Sequence, residues 1–181
     1  IMSLYDDAKS EIKQFISNMS GGDPVVVNPK VKQSELECSS RNRASAYLLK
    51  SYKNLTHSVD DLLDVYTDHC AIEMNCRQLA KSFLYLTNNG HCNYNNTRVL
   101  DKGLTKRINA LMLTCGFYDE AGEFAFRVGL AGKSGVGGGV IAVLPGEFSV
   151  AVYTPPLNPK GNPRKALYFL ELLTTKLGIS L

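Results

Sequence analysis

The chain has 181 residues, which is long enough for one sizeable domain with a buried core. Apolar residues make up 44% and charged residues 20%, the ordinary balance of a soluble globular protein. The net charge is only +3, with basic residues scattered among acids, and the apolar runs are short, so we expect neither a nucleic-acid partner nor a membrane span.

Hydrophobic periodicity predicts helices through most of the chain. An apolar stripe at helical spacing indicates a first helix over residues 4–19, with Ser3 as its cap and Gly21-Gly22 as its end. Residues 25–41 show little periodicity, so we expect an ordered loop there, with a short extended piece at 25–27. Further helices are predicted at 42–51, 59–69, 76–87 and 106–114.

The pattern changes in the last third of the chain. Residues 138–144 and 148–153 are rich in strand-forming residues, and Pro145-Gly146-Glu147 between them predicts a hairpin. Asn162-Pro163 then begins an amphipathic helix that runs to Leu177. The order of helices, antiparallel hairpin and terminal helix predicts the α+β class. Because two strands alone are marginal, we expect this sheet to be completed upstream in a longer chain or by another molecule.

The cysteines predict free thiols. They show no CxxC pair and no even-numbered framework, which favours a reducing, cytoplasmic location. We expect Cys70, Cys76 and Cys115 to be small buried core residues. The five positions are Cys38, Cys70, Cys76, Cys92 and Cys115.

No metal site is predicted. Metal ligands in proteins usually come in pairs a few residues apart, and neighbours in sequence point away from each other. The histidines and cysteines of the central region lack that spacing. They are His69, Cys70, Cys76, His91 and Cys92.

A glycine-rich stretch, AGKSGVGGGVIAVLPG at 131–146, raises the question of a phosphate loop. Gly132-Lys133-Ser134 matches the end of a Walker A motif, but Arg127 stands where its first glycine belongs and a strand follows where a helix is needed. The dinucleotide fingerprint fails too, since Val140 occupies the place of its third glycine. A glycine-rich strand edge that another backbone passes closely is the simpler interpretation.

Several segments together resemble the serine-dependent glutaminases, which share the fold of β-lactamases and DD-peptidases. The similarity covers nearly the whole chain, in the order that the family has. It implies hydrolysis of L-glutamine to L-glutamate and ammonia with no cofactor, through an acyl-enzyme formed by a serine whose proton is taken by a lysine one helical turn later. The segments are QSELECSSRNRASAYLLKS, VDDLLDVYTDHCAIEMNCRQLAKSFLYLTNNG, LMLTCGFYDEAGEF, DEAGEFAFRVGLAGKSGVGGGVIAVLPG and YTPPLNPKGN.

The resemblance places the nucleophilic serine and its lysine upstream of the first matching segment. Ser10 and Lys13 have the required spacing, but their helix does not match the catalytic one. Together with the start at Ile1, this predicts that 1–181 is the C-terminal portion of one catalytic domain, with a helical part to about 130 and the hairpin and terminal helix from about 131. The isolated chain is expected to be inactive.

Residues in the helical part match the family's amino-acid pocket. The resemblance implies that Glu35 pairs with the α-amino group of the substrate, that Asn42 helps to hold the same head group, and that Tyr66 contacts the reacting amide. From the residues alone, Glu35 would be an exposed loop acid, Asn42 a helix cap and Tyr66 a buried tyrosine with a satisfied hydroxyl.

The C-terminal part matches the reacting end of that pocket. The resemblance implies a proton relay through Tyr118 and an oxyanion donor in the backbone N–H of Val136, which a rigid strand would fix. Lys133-Ser134-Gly135 resembles the Lys-Thr/Ser-Gly strand motif of the wider fold. Ser134 would be a hydrogen-bond partner in the pocket, and Lys133 would either tune its electrostatics or be a solvated or structural lysine.

Two other functions fit the same pattern. A DD-peptidase or β-lactamase of the same fold would react with penicillin-type acyl donors, and a non-catalytic binding fragment would keep the pocket as a relic. The matches at Glu35 and Asn42 favour a free amino acid, L-glutamine, as the substrate. We also expect a homo-oligomer, a dimer or a tetramer.

Overall fold

The computed structural model describes residues 1–179 and contains two compact units. The first comprises Ile1–Asn18 and Gly22–Met74, and the second comprises Met19–Gly21 and the chain from Asn75 onward. Helices and antiparallel strands occur in each, so the α+β class is confirmed. No helix among the described residues is long and apolar enough to cross a membrane.

The first unit is mainly helical. Its helices pack around Ala46, Val59 and Leu63, which are almost completely buried. Its two short strands pair antiparallel, Val26 opposite Glu73 and Val27 opposite Ile72. The elements are α1 (Ala8–Ser20), β1 (Val26–Val27), α2 (Pro29–Glu37), α3 (Ser40–Ser51), α4 (Val59–Cys70) and β2 (Ile72–Glu73).

Two predictions for this unit are wrong. Helix α1 begins at Ala8 and not near Leu4, because the Asp7 carboxylate accepts the Ser10 N–H and caps the helix there. The loop predicted over 25–41 contains α2, whose first amides donate to the Asn28 side chain. None of the residues of α2 is fully buried, so the helix has no apolar stripe to mark it in the sequence.

An ion network joins three helices of the first unit. Lys32 on α2 places its Nζ 2.7 Å from Asp64 Oδ1 and 2.9 Å from Asp68 Oδ1, both on α4. Lys9 on α1 also pairs with Asp64. Hydrogen bonds from Lys32 and Lys9 hold the pKa of Asp64 below its usual range, so this carboxylate favours the folded state when it is charged.

The second unit contains a three-stranded antiparallel sheet with helices around it. Its strands lie in the order β5-β6-β7. The elements are α5 (Cys76–Ser82), α6 (Leu84–Thr87), β3 (His91–Cys92), β4 (Thr97–Arg98), α7 (Lys102–Cys115), a 3-10 turn (Tyr118–Glu120), α8 (Ala121–Val128), β5 (Ala131–Ser134), β6 (Gly139–Leu144), β7 (Phe148–Tyr153) and α9 (Arg164–Leu177).

The predicted hairpin is confirmed as β6 and β7. The sheet was expected to gain further strands upstream in a longer chain or from another molecule, and the structure adds one strand, β5, from within this chain. Strand β5 pairs with β6 from Ala131 opposite Val143 to Ser134 opposite Val140. This strand has four residues, one of them glycine, and so lacks a strand pattern of its own.

Strand β6 is buried on both faces, which explains its continuous apolar sequence. Val140, Ala142 and Leu144 belong to a core with α8 and α9 residues. Ile141 and Val143 belong to a second core with Leu86, Met112 and Ala131. The strand is therefore the centre of a helix–sheet–helix arrangement within this unit.

Two helix predictions in this unit need correction, and one helix was missed. The helix predicted over 76–87 is divided at Phe83 into α5 and α6. Helix α7 begins earlier than predicted, because the Asp101 carboxylate caps it while the Thr105 hydroxyl donates to the Asp101 carbonyl. Helix α8 was not predicted from the sequence.

Candidate functional site

In the second unit, the turn after β5 carries the residue expected to be an oxyanion donor. The β5–β6 pairing ends at Ser134 opposite Val140, and Gly135 N–H then donates to Gly139 O at 2.8 Å. Val136 therefore lies in a turn outside the ladder, with 62% of its surface exposed. The expectation that a strand itself fixes this amide is wrong, since the turn holds it.

Tyr118 occupies a strained position between α7 and α8. Its φ is +49°, in the left-handed region that costs a residue other than glycine about 1–2 kcal/mol. The residue is 47% exposed, so Tyr118 is not a buried core tyrosine. A left-handed tyrosine persists only where its surroundings fix it, and strain of this kind is common at functional sites.

The structure brings Lys133 to the ring of Tyr118. The lysine Nζ lies 4.6 Å from the ring centroid, within the range of a cation–π contact, and donates to the Ser134 carbonyl at 2.6 Å. Burial lowers the pKa of Lys133 from its usual value. The arrangement places a partly desolvated cation beside a half-exposed phenol.

Ser134, expected as a hydrogen-bond partner in the pocket, makes its hydrogen bond to another residue of the chain. The residue is buried, and its hydroxyl donates to Asn162 Oδ1 at 2.5 Å. The hydroxyl proton is therefore used within the second unit. Its partner is Asn162, which the sequence predicted only as the start of the last helix. Asn162 lies before the first helical residue of α9 and is fully buried.

Asn162 was missed because its burial depends on contacts with distant parts of the chain. Its Nδ2 donates to Phe117 O at 3.0 Å and to Glu120 Oε2 at 2.5 Å. Burial of Glu120 raises its pKa, but hydrogen bonds from Asn158 and Asn162 lower it more, so the pKa lies below the usual range. Only the density of proline and asparagine in YTPPLNPKGN marks this loop in the sequence.

The first unit carries the other expected site residues. Glu35 is half-buried on α2 and is not in a loop, while Asn42 is exposed inside α3 and does not cap it. Tyr66 on α4 is 46% exposed, so it is not a buried tyrosine. Partial burial raises the pKa of the Cys70 thiol. A hydrogen bond with the Tyr66 phenol lowers that pKa, and the negative charge of Glu35 raises it further.

The cysteines differ in part from expectation. All five lack disulfide bonds, but Cys70, Cys76 and Cys115 are exposed, and Cys92 is the buried one. The prediction of three buried core cysteines is wrong, because each of the three lies on an outer helix face or end. Across residues 1–179, the structure forms no group of three or more His, Cys, Asp and Glu side chains able to hold a metal ion.

A cleft of about 860 Å³ in the second unit has none of the expected site residues in its wall. Its lining is mixed and includes the basic residues Lys160, Arg164 and Lys165 together with Glu120 and Asn158. Through Glu120, this cleft adjoins the hydrogen bonds of Asn162.

Comparison with known proteins agrees with the resemblance seen in the sequence. The Glutaminase family model matches residues 2–181. A glutaminase of Ralstonia nicotianae is 47% identical over 177 residues, which are 98% of this chain and 58% of that protein. A glutaminase of Saccharophagus degradans is 44% identical over 181 residues, 100% of this chain and 59% of that protein.

A solved structure shares the fold. It is a Bacillus subtilis glutaminase in covalent complex with 5-oxo-L-norleucine, formed by reaction with 6-diazo-5-oxo-L-norleucine. The TM-score is 0.88 at 31% sequence identity, covering 93% of this chain and 60% of that one. The chain therefore spans only 58% to 60% of the length of these three relatives.

Proposed function

Because this chain belongs to the glutaminase family, we propose that the whole protein carrying it hydrolyses L-glutamine to L-glutamate and ammonia. The observation that carries the proposal is the family match over residues 2–181, which includes both compact units. The activity is assigned to the whole protein, since the relatives are longer than this chain.

The reaction we propose forms an acyl-enzyme. A serine hydroxyl attacks the side-chain amide, a lysine takes the hydroxyl proton, ammonia leaves, and water then releases glutamate. We assign the serine and the lysine to a part of the whole protein outside these 181 residues. Ser10 and Lys13 receive no such role, because Ser10 is an exposed residue of α1 whose N–H is held by Asp7.

In the second unit, Tyr118, Lys133 and Val136 are proposed to act on the reacting amide. The Tyr118 phenol moves the proton to the leaving ammonia, and the Lys133 ammonium at its ring stabilises negative charge that develops nearby. The Val136 N–H, in the turn outside the ladder, donates to the oxyanion.

In the first unit, Glu35, Asn42 and Tyr66 are proposed to bind the substrate. A carboxylate such as Glu35 pairs with the cationic α-amino group through charge-assisted hydrogen bonds, and the amide of Asn42 supplies neutral donors and acceptors. Tyr66 contacts the amide side chain through its phenol. The partial exposure of Glu35 and Tyr66 supports this role, since neither residue is shut inside the core.

Ammonia release from L-glutamine by the whole protein tests the proposal. Tyr118→Phe should lower kcat by about 10² to 10⁴, the usual contribution of a positioned proton donor. Tyr168→Phe, at another half-exposed tyrosine, should leave kcat unchanged. Unchanged turnover in Tyr118→Phe would contradict the assigned relay.

The unmodified protein separates the alternative functions. Hydrolysis of a chromogenic β-lactam without release of ammonia from glutamine would favour a β-lactamase or DD-peptidase. Binding of glutamine without turnover would indicate a non-catalytic relative. Residues 1–181 alone should release no ammonia, and robust turnover by them would contradict the assignment of the nucleophile to another part of the protein.

We also propose a cytoplasmic location and a homo-oligomer, a dimer or a tetramer. Five free cysteines, four of them exposed, suit a reducing compartment. Light scattering of the purified whole protein measures its mass in solution, and a monomeric mass would contradict the second part.

A further inference from the structure

The turn that carries Tyr118 needs an external support. Its φ of +49° is unfavourable for tyrosine, and the side chain is half-exposed, so burial of its own ring does not hold it. The neighbouring Phe117 is fully buried and stacks on Phe124 with ring centroids 3.7 Å apart, which anchors one side of the turn.

Asn162 supplies hydrogen bonds on both sides of Tyr118. Its Nδ2 donates to the carbonyl of Phe117, the residue before, and to the carboxylate of Glu120, two residues after. The same amide accepts the Ser134 hydroxyl at Oδ1. One buried side chain thus connects the two flanks of the turn to the strand that presents Lys133.

The Asn162 backbone is fixed as well. Its N–H donates to Asn158 Oδ1 at 3.0 Å, and its carbonyl accepts the Asn158 N–H at 2.8 Å. Asn158 Nδ2 also donates to Glu120 Oε2, at 2.7 Å. A buried network in which every bond is made is rigid and fixes one arrangement of its members.

We propose that Asn162 is a positioning residue that holds the left-handed turn at Tyr118 and sets the phenol against the Lys133 ammonium. The expected effect of Asn162 on turnover rests on the proposed glutaminase function. Its effect on the position of Tyr118 does not depend on that function. Asn162 does not touch substrate; it acts through Tyr118 and β5.

Asparagine suits the position because it offers two donors and one acceptor on a short side chain. Asn162→Asp keeps the shape and the acceptor for Ser134 but replaces both donors by an oxygen facing the Phe117 carbonyl and the Glu120 carboxylate. The turn loses both supports and gains a repulsion, so Tyr118 leaves its position over Lys133.

Kinetics of the whole protein form the first test. Asn162→Asp should lower kcat by about 30-fold or more while KM changes by less than about threefold, because a displaced catalytic group costs rate more than binding. Thr174→Val removes a different buried hydroxyl of the same unit and should leave kcat and KM as they are. Equal losses in both variants would overturn the proposal.

A second pair of variants serves if Asn162→Asp fails to fold. Glu120→Gln keeps an oxygen acceptor for Asn162, and Glu120→Ala removes it. Glu120→Ala should therefore lose more of kcat than Glu120→Gln. The reverse order, or equal losses, would contradict positioning through this carboxylate.

NMR of the whole protein with ring-¹³C tyrosine tests the geometry without any turnover. Tyr118→Phe identifies the Tyr118 signal, which should shift in Asn162→Asp and in Lys133→Met but not in Thr174→Val. A Tyr118 signal unmoved by Asn162→Asp overturns the proposal even if the protein hydrolyses glutamine. A shifted signal in a protein inactive on glutamine supports the positioning and refutes the proposed function instead.

Discussion

Replacing Gly116 by alanine tests how closely the turn before Tyr118 approaches strand β5. A Cβ at residue 116 would lie 1.7 Å from the carbonyl oxygen of Gly132 and 2.3 Å from that of Met112. Both oxygens belong to backbone, one in β5 and one in α7, so no flexible side chain can move aside.

The magnitude follows from the separation that the new methyl group requires. Carbon and oxygen approach to about 3.3 Å in ordinary contacts, so residues 116 and 132 must separate by about 1.6 Å. Overpacking of this kind costs about 1–3 kcal/mol. The shift also breaks the 3.1 Å bond from Ser134 N–H to Gly116 O, worth about 1 kcal/mol. We expect a loss of about 2–4 kcal/mol in the free energy of unfolding.

Gly122→Ala is the matched control in helix α8. A Cβ there meets nothing within 4 Å, and the position is exposed. Alanine should stabilise the helix by about 0.5–1 kcal/mol. Urea unfolding of the whole protein and both variants, followed by circular dichroism, gives the two differences. If Gly116→Ala unfolds within about 0.5 kcal/mol of the parent protein, the close approach of this turn to β5 is refuted.

Two further predictions concern pH. Burial lowers the pKa of Lys133, so the free energy of unfolding should rise as the pH increases through the folded pKa towards 10.5. The stability of the parent relative to Lys133→Met should therefore increase between pH 8 and pH 10.5, and a difference independent of pH in urea titrations would contradict this. Lys32 and Lys9 lower the pKa of Asp64, so the charged carboxylate stabilises the folded protein above pH 3.8, and this contribution disappears as the pH falls through the folded pKa. Asp64→Asn should therefore lower the free energy of unfolding at pH 7 but not in stronger acid. An equal loss at both pH values would show that charge is not the cause.

Periodicity predicted the elements that have one clearly apolar side. Helix α4 and strands β6 and β7 occur close to their predicted bounds, and α9 begins two residues late. Helix α2 was missed, since its support is the Asn28 cap and not a buried stripe. Strand β5 was missed as an element because four residues carry too little pattern to distinguish a strand from a loop.

The candidate site, too, could be predicted only in part from the sequence. Glu35, Asn42, Tyr66, Tyr118 and Val136 came from the resemblance to a family, and their roles remain proposals. The fold adds what that resemblance did not contain, such as the cation at the Tyr118 ring. It also adds the hydrogen bond from the Ser134 hydroxyl to the buried Asn162.

The sequence by itself determined the α+β class, the central apolar strand and membership of a family, because local periodicity and long matching segments do not depend on how the chain folds back. Only the tertiary structure decided that Tyr118 is left-handed, that Asn162 is fully buried and that Gly116 faces a strand backbone. The contact of Asn162 with Phe117 joins residues 45 apart in the chain, and that of Gly116 with Gly132 joins residues 16 apart. Such contacts have no local periodicity, and they form only when the helices and the sheet pack together.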